Sequence, residues 1–506
     1  MTAQKPTPAE RSGFSTAALS RNDWIWSFVL AGALVMAVTQ QSFWIDEAST
    51  GSVAVHPSLA AAWSELKHIN GSDLQMPLYM LYEWGAEKVF GPSEWALRAA
   101  GLAWLLPGVF LLILTTPDRQ ERLALFAVVG TSAFTWYYAS EARPYAMQIG
   151  VACAVVAALR RLLSPQGTAA GEGVWWIVLL VSIVCLCGSS LLGLIWAAPA
   201  VGAVLVLAPR DRLLSWLKRF GPLVAITIVA LAILAVYYKW TLSHGARASA
   251  AVKPSVQSMA FVFYEQLGFT GLGPGRSQLR DAGAHGLVAY AATLAPYAVL
   301  VAIVVWTGVA SLRSRTWFFK TLLLCGGTAA FLLAAGAAAH FRALGRHFAP
   351  LMPVWFVLFA AGLVHLWNRG GRLGRGIGVL FVLMSACSAL CIRLSPQHAR
   401  DDYRSAAAEA RQALQAGKVV WWNAADVGAL YYRVPVAAAG AAVGAIVVAN
   451  ASLPDLEGLG KPDLIVCSKP DIFDNKGAVA RYIAERRYQR TAAFTSFELW
   501  QPGPSR

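Results

Sequence analysis

Two adjacent carboxylates, Asp46 and Glu47, stand directly after the first long apolar run, residues 24–42. An ionised carboxylate is unstable in hydrocarbon, so the pair must lie outside the lipid or in a wet cavity lined by protein. A carboxylate in such a place can take a proton from a substrate hydroxyl, and two neighbouring acids raise each other's pKa, which helps a base to work near neutral pH. From these two residues alone, a solvated loop start explains the pair equally well.

More acids follow in the same predicted loop, residues 43–94. They are Glu65, Asp73, Glu83, Glu87 and Glu94, whereas residues 282–400 contain no acid at all. Within this loop, residues 76–90 are apolar but short, and Tyr79, Glu83 and Glu87 share one helical face. This pattern predicts a helix that lies along the membrane interface without crossing the bilayer.

Composition places the chain among membrane proteins. Hydrophobic residues make up 57% of its 506 residues and charged residues only 14%, and the mean hydropathy is +0.52. Apolar runs near the ~20-residue length of a membrane-spanning helix recur along the first 394 residues. The net charge of +15 would suggest nucleic acid in a soluble protein. Here most Lys and Arg lie in short loops between apolar runs, which orients a membrane protein, so we predict no nucleic-acid partner.

About eleven membrane spans remain if residues 76–90 do not cross. They are residues 24–42, 95–115, 121–139, 143–163, 174–188, 190–208, 221–241, 285–311, 317–339, 347–367 and 376–394. The basic loops then fall on one side, together with residues 1–22, which we predict to be a disordered cytoplasmic tail. The long loop 242–284 and everything from residue 395 onward fall on the extracytoplasmic side.

The predicted fold class is an α-helical polytopic membrane protein with interfacial helices in its first extracytoplasmic loop. Residues 23–394 form the membrane domain, and residues 395–506 form a small extracytoplasmic α/β domain. In that domain, residues 418–422 and 463–467 have the apolar pattern of buried strands. At its start, Asp401 and Asp402 are more simply explained by a solvated domain boundary than by a binding site.

Arginines collect on the predicted extracytoplasmic side. Arg143 lies in the run Ser140-Glu141-Ala142-Arg143-Pro144-Tyr145, and Arg342 and Arg346 lie in the turn between two later spans, with His347 beside them. An Arg side chain offers a planar fork of donors that matches phosphate oxygens, although anchoring at the membrane interface is the alternative for Arg143 and Arg342. The glycine-rich run 268–276 lacks the Gly-Lys-Ser/Thr ending of a P-loop, which leaves a flexible gate or a plain linker.

Four stretches, in this order, resemble the GT-C superfamily of membrane glycosyltransferases, especially bacterial proteins similar to protein O-mannosyltransferases and to the aminoarabinose transferase. The stretches are Trp44-Ile45-Asp46-Glu47, residues 73–79 leading to 90–98, residues 140–146, and residues 346–353. The resemblance covers about residues 24–394. The chain departs from the pattern at Gln75-Met76-Pro77, where relatives commonly have His-Pro-Pro, at Ser189-Ser190, where many carry a histidine, and at His347, where the family has a tyrosine. A metal site that relies on the two missing histidines is unsupported.

The resemblance implies a reaction class. Such enzymes move a sugar from a polyprenyl-phosphate donor to an acceptor on the outer face, and they invert the anomeric carbon. The implied partners are this donor, an acceptor that is a glycan, a lipid or a protein, and the bilayer of the cytoplasmic (inner) membrane. The implied roles are general base for Asp46 with support from Glu47, donor-phosphate binding for Arg143, Arg346, His347 and Arg342, and substrate binding for Asp73, Tyr79, Glu141 and Tyr145.

Two other classes of protein stay open at this point, and so does the cofactor. A flippase or other transporter of lipid-linked saccharides would usually hold ionisable groups near the membrane midplane, whereas the acids here lie at span ends and no inverted repeat is visible. A non-catalytic membrane assembly subunit with an extracytoplasmic domain is the other alternative. No cofactor follows from the sequence, and a divalent cation held by Glu47 stays an alternative to a purely supporting role.

Overall fold

The computed structural model describes residues 20–163, 169–244, 255–313, 316–338, 343–437 and 444–503. Most of the predicted tail 1–22, part of the loop 242–284 and Arg342 lie outside these ranges. The helices before residue 395 are α1 (Arg21–Ala37), α2 (Ile45–Ala54), α3 (Leu59–Ile69), α4 (Pro77–Phe90), α5 (Glu94–Ala100), α6 (Leu102–Leu114), α7 (Arg119–Gly130), α8 (Ala133–Ala139), α9 (Tyr145–Leu162), α10 (Ala169–Ser189), α11 (Gly193–Leu207), α12 (Arg210–Ser243), α13 (Val256–Gln266), α14 (Arg276–Ala282), α15 (Ala291–Leu312), α16 (Thr316–Ala338), α17 (Met352–Arg369) and α18 (Gly371–Leu394).

Eight helical stretches in the described part of the chain are long and apolar enough to cross a membrane. They are Glu94–Leu114, Tyr145–Leu162, Glu172–Ser189, Arg210–Ser243, Gly283–Leu312, Lys320–Ala338, Gly345–Arg369 and Gly371–Leu394. Large apolar side chains such as Ile233, Val236 and Trp306 are mostly exposed on these helices, which suits a surface that faces lipid. The protein is therefore a multi-span membrane protein, and the predicted fold class is confirmed.

The remaining three predicted spans correspond to shorter helices. Helix α1 has 17 residues and α11 has 15, and residues 121–139 form two helices, α7 and α8, instead of one. The interruption is local, because Ser132 caps α8 by accepting a hydrogen bond from the Thr135 amide at 3.2 Å. Ser and Thr barely lower the hydropathy of a window, so this helix start was not visible in the sequence.

The helix predicted over residues 76–90 forms as α4 and, with 14 residues, is not among the membrane-spanning stretches. Its polar side chains Tyr79 and Glu83 are buried, whereas Leu81, Val89 and Phe90 are exposed. An apolar face turned outward suits contact with lipid. Its position along the interface remains a prediction.

The described residues belong to two compact units. The first contains Met1–Val38, Leu74–Tyr79 and Arg98–His398, and the second contains Thr39–Asp73, Met80–Leu97 and Ala399–Arg506. Most of the first predicted extracytoplasmic loop therefore shares a compact unit with the C-terminal segment. The sequence-based division into residues 23–394 and 395–506 had placed that loop with the membrane domain, and that division stays a prediction.

In the first unit, α6 and α9 meet backbone to backbone. A Cβ atom on Gly108 would lie 1.8 Å from the carbonyl oxygen of Gly150, and one on Gly150 would lie 2.1 Å from the carbonyl oxygen of Trp104. Only glycine permits this approach, as in other close helix pairs of membrane proteins. The contact fixes α9, whose first residue is Tyr145.

The second unit contains a six-stranded sheet of order β2-β3-β1-β4-β6-β5. Strands β1 to β4 pair with one another in parallel, whereas β6 is antiparallel to both β4 and β5. The predicted strands 418–422 and 463–467 correspond to β1 and β4. The elements are β1 (Val420–Asn423), β2 (Val436–Ala437), β3 (Ala445–Val447), β4 (Leu464–Ser468), β5 (Tyr488–Phe494) and β6 (Phe497–Pro502), with helices α19 (Tyr403–Gln415), α20 (Asp426–Tyr431), α21 (Leu453–Glu457), α22 (Pro470–Phe473) and α23 (Ala478–Glu485).

Candidate functional site

Asp46 and Glu47 occupy the first turn of α2. Carboxylates are favoured there because the unpaired amides and the helix dipole make this end positive. Asp46 is partly exposed, whereas Glu47 is completely buried. The two adjacent acids therefore have different environments, and only the Asp46 side chain is open to solvent.

Glu47 forms a salt bridge with Arg400, at the start of the C-terminal segment. The distance from Arg400 Nη1 to Glu47 Oε2 is 2.7 Å, and the two side chains are 7% and 0% exposed. Removal of one partner from a buried ion pair costs about 3–5 kcal/mol, because the other charge is left uncompensated. The negative charge of Glu47 is thus balanced inside the protein. Arg400 lies in no motif and follows Glu47 by 353 residues, so it could not be predicted from the sequence.

The residues just before α2 are also held by the C-terminal segment. The Phe43 amide donates to the Tyr432 hydroxyl at 2.8 Å, and that hydroxyl donates to Glu94 Oε1 at 2.9 Å. The Arg404 amide donates to Ser42 Oγ at 3.0 Å. These bonds fix the backbone from which Asp46 projects.

Three further acids of the second unit bind neighbouring side chains or backbone. Asp73, predicted to bind substrate, is buried and accepts a hydrogen bond from Ser49 Oγ on α2 at 3.0 Å. Asp402 caps α19 by accepting from the Ser405 amide at 3.0 Å, and Asp401 pairs with Lys469. The expected solvated boundary at residues 401–402 is therefore an ordered helix start.

In the first unit, the stretch from Ser140 to Tyr145 is a buried turn between α8 and α9. Arg143 is only 2% exposed, and Glu141 is equally buried. Such burial exceeds what an arginine that reaches out to a membrane interface would show. Tyr79, predicted to bind substrate, is buried in the same unit.

A second arginine cluster lies beside this turn. Arg276 Nη2 donates to Glu265 Oε1 at 2.7 Å and to the Tyr138 hydroxyl at 3.0 Å. The Arg276 guanidinium also lies 4.3 Å from the centre of the Tyr137 ring, where a cation is attracted by the π electrons. Neither Glu265 nor Arg276 was among the site residues predicted from the sequence. The available signal was an acid and an arginine eleven residues apart in the same predicted extracytoplasmic loop.

Arg346 joins the same region through aromatic contacts. Its guanidinium lies 5.9 Å from the centre of the Tyr145 ring, and that ring packs edge-on against Tyr138 at 5.1 Å. The neighbouring His347 is partly exposed, and its Nδ1 accepts a hydrogen bond from the Leu344 amide at 3.1 Å. The structure thus brings together Tyr145 and Arg346, which sequence analysis predicted, with Tyr138 and Arg276.

The glycine-rich run 268–276 is closely packed. A Cβ atom on Gly271 would lie 1.8 Å from the Ser388 carbonyl oxygen, and one on Gly275 would lie 1.9 Å from that of Gln397. These glycines permit close backbone contact. The sequence left two interpretations of this run, a flexible gate and a plain linker. Neither of them requires the close backbone contacts that the structure shows.

Other residues stand at the positions where relatives carry histidines, and they form hydrogen bonds with their neighbours. Gln148 Nε2 donates to Ser189 Oγ at 3.2 Å and to Ser190 Oγ at 2.9 Å, and the Leu191 amide donates to the Gln75 carbonyl oxygen at 2.9 Å. These positions supply no imidazole to a metal ion. Among the described residues, no group of three His, Cys, Asp or Glu side chains is arranged to hold one.

Comparison with known proteins identifies the fold. Neither a family model nor a curated protein sequence matches the chain. The crystal structure of ArnT from Cupriavidus metallidurans in the apo state matches with a TM-score of 0.56 and 14% identity, over 96% of this chain and 99% of that chain. The structure of ArnT bound to undecaprenyl phosphate matches with a TM-score of 0.51 and 13% identity, over 96% of this chain and 100% of that chain. The chain has a GT-C fold.

A third solved structure, from an archaeon, is more distant. The Archaeoglobus fulgidus oligosaccharyltransferase in complex with Zn and sulfate has a TM-score of 0.46 and 12% identity, over 91% of this chain and 71% of that chain. The resemblance drawn from the four sequence stretches is confirmed at the level of the GT-C fold. The roles of individual residues remain predictions.

Within this GT-C fold, Gly345 gives a test of the arginine cluster. A Cβ atom there would lie 2.0 Å from Glu265 Oε2, so Gly345→Ala must move this carboxylate, which is the partner of Arg276. We expect the variant to reach normal abundance in the membrane. If the cluster binds substrate, the turnover of the reaction that it supports should fall by roughly 10–10²-fold, since small misplacements of binding groups have large kinetic effects. The matched control is Gly376→Ala on α18, where the added Cβ would point into open space. Equal turnover in both variants would show that the Glu265–Arg276 pair does not support activity.

Proposed function

We propose that this protein is a membrane glycosyltransferase that moves a sugar from a polyprenyl-phosphate donor to an acceptor on the extracytoplasmic face, with inversion. The observation that carries the proposal is the match, over the full length of that chain, to ArnT solved with undecaprenyl phosphate. The same fold hosts different chemistries in general, so the assignment also needs residues suited to the reaction. The two clusters described above supply such residues.

The donor phosphate is assigned to the arginines of the first unit. Arg143 is buried, and Arg276 and Arg346 lie close to tyrosine rings. Guanidinium groups bind phosphate oxygens through paired, charge-assisted hydrogen bonds, and they stabilise the charge that appears on the departing phosphate. His347 and Arg342 remain further candidates from the sequence.

The proton of the acceptor is assigned to Asp46. The acceptor oxygen attacks the anomeric carbon, the bond from that carbon to the phosphate oxygen breaks, and the hydroxyl proton passes to the Asp46 carboxylate. A single displacement of this kind inverts the anomeric carbon without a covalent enzyme intermediate. Because Glu47 is buried and paired with Arg400, Asp46 is the acid of the pair that can meet an acceptor.

The other predicted substrate contacts divide into two groups. Tyr145 lies against Arg346 and Tyr138, and with the buried Glu141 it would shape the phosphate site. Asp73 accepts a hydrogen bond from Ser49 on α2, and it would hold in place the helix that carries Asp46. The sugar and the nature of the acceptor, whether glycan, lipid or protein, are not assigned.

A strain that lacks the protein tests the activity. Lipid mass spectrometry is expected to show a polyprenyl-phosphate sugar that accumulates in this strain and disappears when the wild-type protein returns. The purified protein in detergent should consume the same lipid when membrane extract is added as a source of acceptor. A flippase would also cause accumulation, but it moves its substrate without consuming it, so an intact donor in detergent would contradict the proposal.

The topology gives an independent prediction. We propose that the N-terminus is cytoplasmic and the C-terminal segment extracytoplasmic in the inner membrane, because the basic loops alternate in that way. In a background without the exposed native Cys387, Glu457→Cys should react with a membrane-impermeant thiol reagent in intact cells. The control is Arg372→Cys, in a predicted cytoplasmic loop, which should react only after lysis. Both positions are exposed, and the reverse pattern would invert the topology.

A further inference from the structure

The carboxylate pair at the start of α2 is surrounded by groups from the C-terminal segment. Arg400 contacts Glu47, and the Arg400 amide also donates to Gln41 Oε1 at 3.3 Å. Tyr403 is fully buried, and burial together with the negative charges of Asp401 and Asp46 raises the pKa of its hydroxyl. The C-terminal segment therefore reaches both the backbone before α2 and the acids on its first turn.

Two ion pairs lie in this region. Glu47 is paired with Arg400, and Asp401 is paired with Lys469. Two further acids are Asp46, on α2, and Asp426, at the start of α20, which packs on α2. Both act on the Tyr403 hydroxyl. The positive charge of Arg400 thus reaches the acid directly beside Asp46.

We propose that Arg400 is a positioning residue for the reaction, which acts through Glu47 to set the charge and the orientation of Asp46. The inference rests on the proposed function, since it takes Asp46 as the group that accepts the proton. It gives the C-terminal segment a direct part in the chemistry. Arg400 itself does not touch the substrate.

The physical reason is the charge beside the base. With Arg400 in place, the Glu47 charge is compensated, and Asp46 is influenced by a neutral pair. Without Arg400, two carboxylates share the first turn of α2 and bind protons more tightly, because like charges oppose ionisation. Without Glu47, the Arg400 cation is left next to Asp46 and favours the ionised carboxylate.

The pH dependence of kcat/KM therefore shows whether Arg400 acts on the base or only stabilises the fold. Its acid limb reports the protonation of the base in the free enzyme. Arg400→Gln is expected to move this limb to higher pH by about one unit and to lower turnover at pH 7 by roughly 10²-fold. Glu47→Gln is expected to move the limb to lower pH, with a smaller loss of turnover. The double variant, Glu47→Gln with Arg400→Gln, is expected to return the limb close to the wild-type position and to recover at least about tenfold of the turnover lost in Arg400→Gln.

The donor probe for these measurements is a set of synthetic undecaprenyl-phosphate hexoses and pentoses, and membrane extract supplies the acceptor. The matched control is Arg490→Gln, which removes the same side chain from an exposed pair with Glu498 in the same unit. It should leave both the pH profile and turnover unchanged. Abundance in the membrane is measured for every variant, because Arg400→Gln leaves a buried charge that weakens the fold.

Opposite shifts for the two single variants, cancelled in the double variant, would support the proposal. If Arg400→Gln does not accumulate, the double variant decides, because it holds no unpaired charge: an active, folded double variant supports the proposal. A folded double variant no more active than Arg400→Gln, or single variants without opposite shifts, would overturn it. Either failure leaves the proposed function intact if the wild-type protein consumes the donor and Asp46→Asn does not. An active Asp46→Asn enzyme would remove Asp46 as the base and with it the premise of this inference, whereas a wild-type protein that leaves the donor intact would remove the proposed function itself.

Discussion

Replacement of Asp46 by Asn is expected to lower the turnover of sugar transfer by roughly 10²–10⁴-fold, the usual contribution of a positioned proton acceptor. Asn keeps the shape of the side chain and most of its hydrogen bonds but removes the negative charge and the basicity. Abundance in the membrane should stay near the wild-type value, because Asp46 is partly exposed and such a group contributes little to folding. Transfer from a polyprenyl-phosphate sugar in purified membranes is the measurement.

Glu47→Gln serves as the comparison for this variant. Glu47 is buried against Arg400, so its replacement should reduce turnover less than that of Asp46. Comparable losses would mean that the two acids act as one unit. A fully active Asp46→Asn enzyme would contradict the mechanism even though the GT-C fold stands.

Replacement of Arg143 by Lys is expected to weaken donor binding by roughly 10–10²-fold, although the charge is kept. A lysine ammonium is a point charge and cannot replace the paired donors of a guanidinium. Hydrogen bonds to charged groups contribute about 1.5–3 kcal/mol each, which sets the size of the effect. Binding of undecaprenyl phosphate to the purified protein is the measurement.

The control for Arg143 is Arg372→Lys, an exposed position on α18. It should bind the lipid as the wild-type protein does. Unchanged affinity in Arg143→Lys would assign Arg143 a structural role in the buried turn between α8 and α9. The donor phosphate would then belong to the other candidates, which are Arg276, Arg346, His347 and Arg342.

Hydropathy predicted the membrane helices well because each span is a property of about 20 consecutive residues. The division of residues 174–208 into α10 and α11 and the presence of a short helix, α4, were also predicted correctly, whereas the interfacial position of α4 stays a prediction. The break between α7 and α8 was not, since it depends on one serine cap at Ser132. Local polar contacts of this kind leave almost no trace in an apolar window.

The candidate sites were predicted only in part. Acids and arginines at span ends could be found from their place in the chain, as with Asp46 and Arg143. Their partners could not, because the contacts of Glu47 with Arg400 and of Tyr138 with Arg276 join residues 353 and 138 positions apart. No periodicity connects such residues, and only the folded chain brings them together.

The pairing of Glu47 with Arg400 also sets an order of events during synthesis. Chains grow at about 5–20 residues per second, so Arg400 leaves the ribosome roughly 18–70 s after Glu47, from which it is separated by 353 residues. During that time the first loop lacks the partner of its buried acid and the bonds that hold its backbone. The nascent chain can therefore insert its helices one after another before Glu47 has met Arg400. The first loop reaches its final form only after the C-terminal segment has been synthesised.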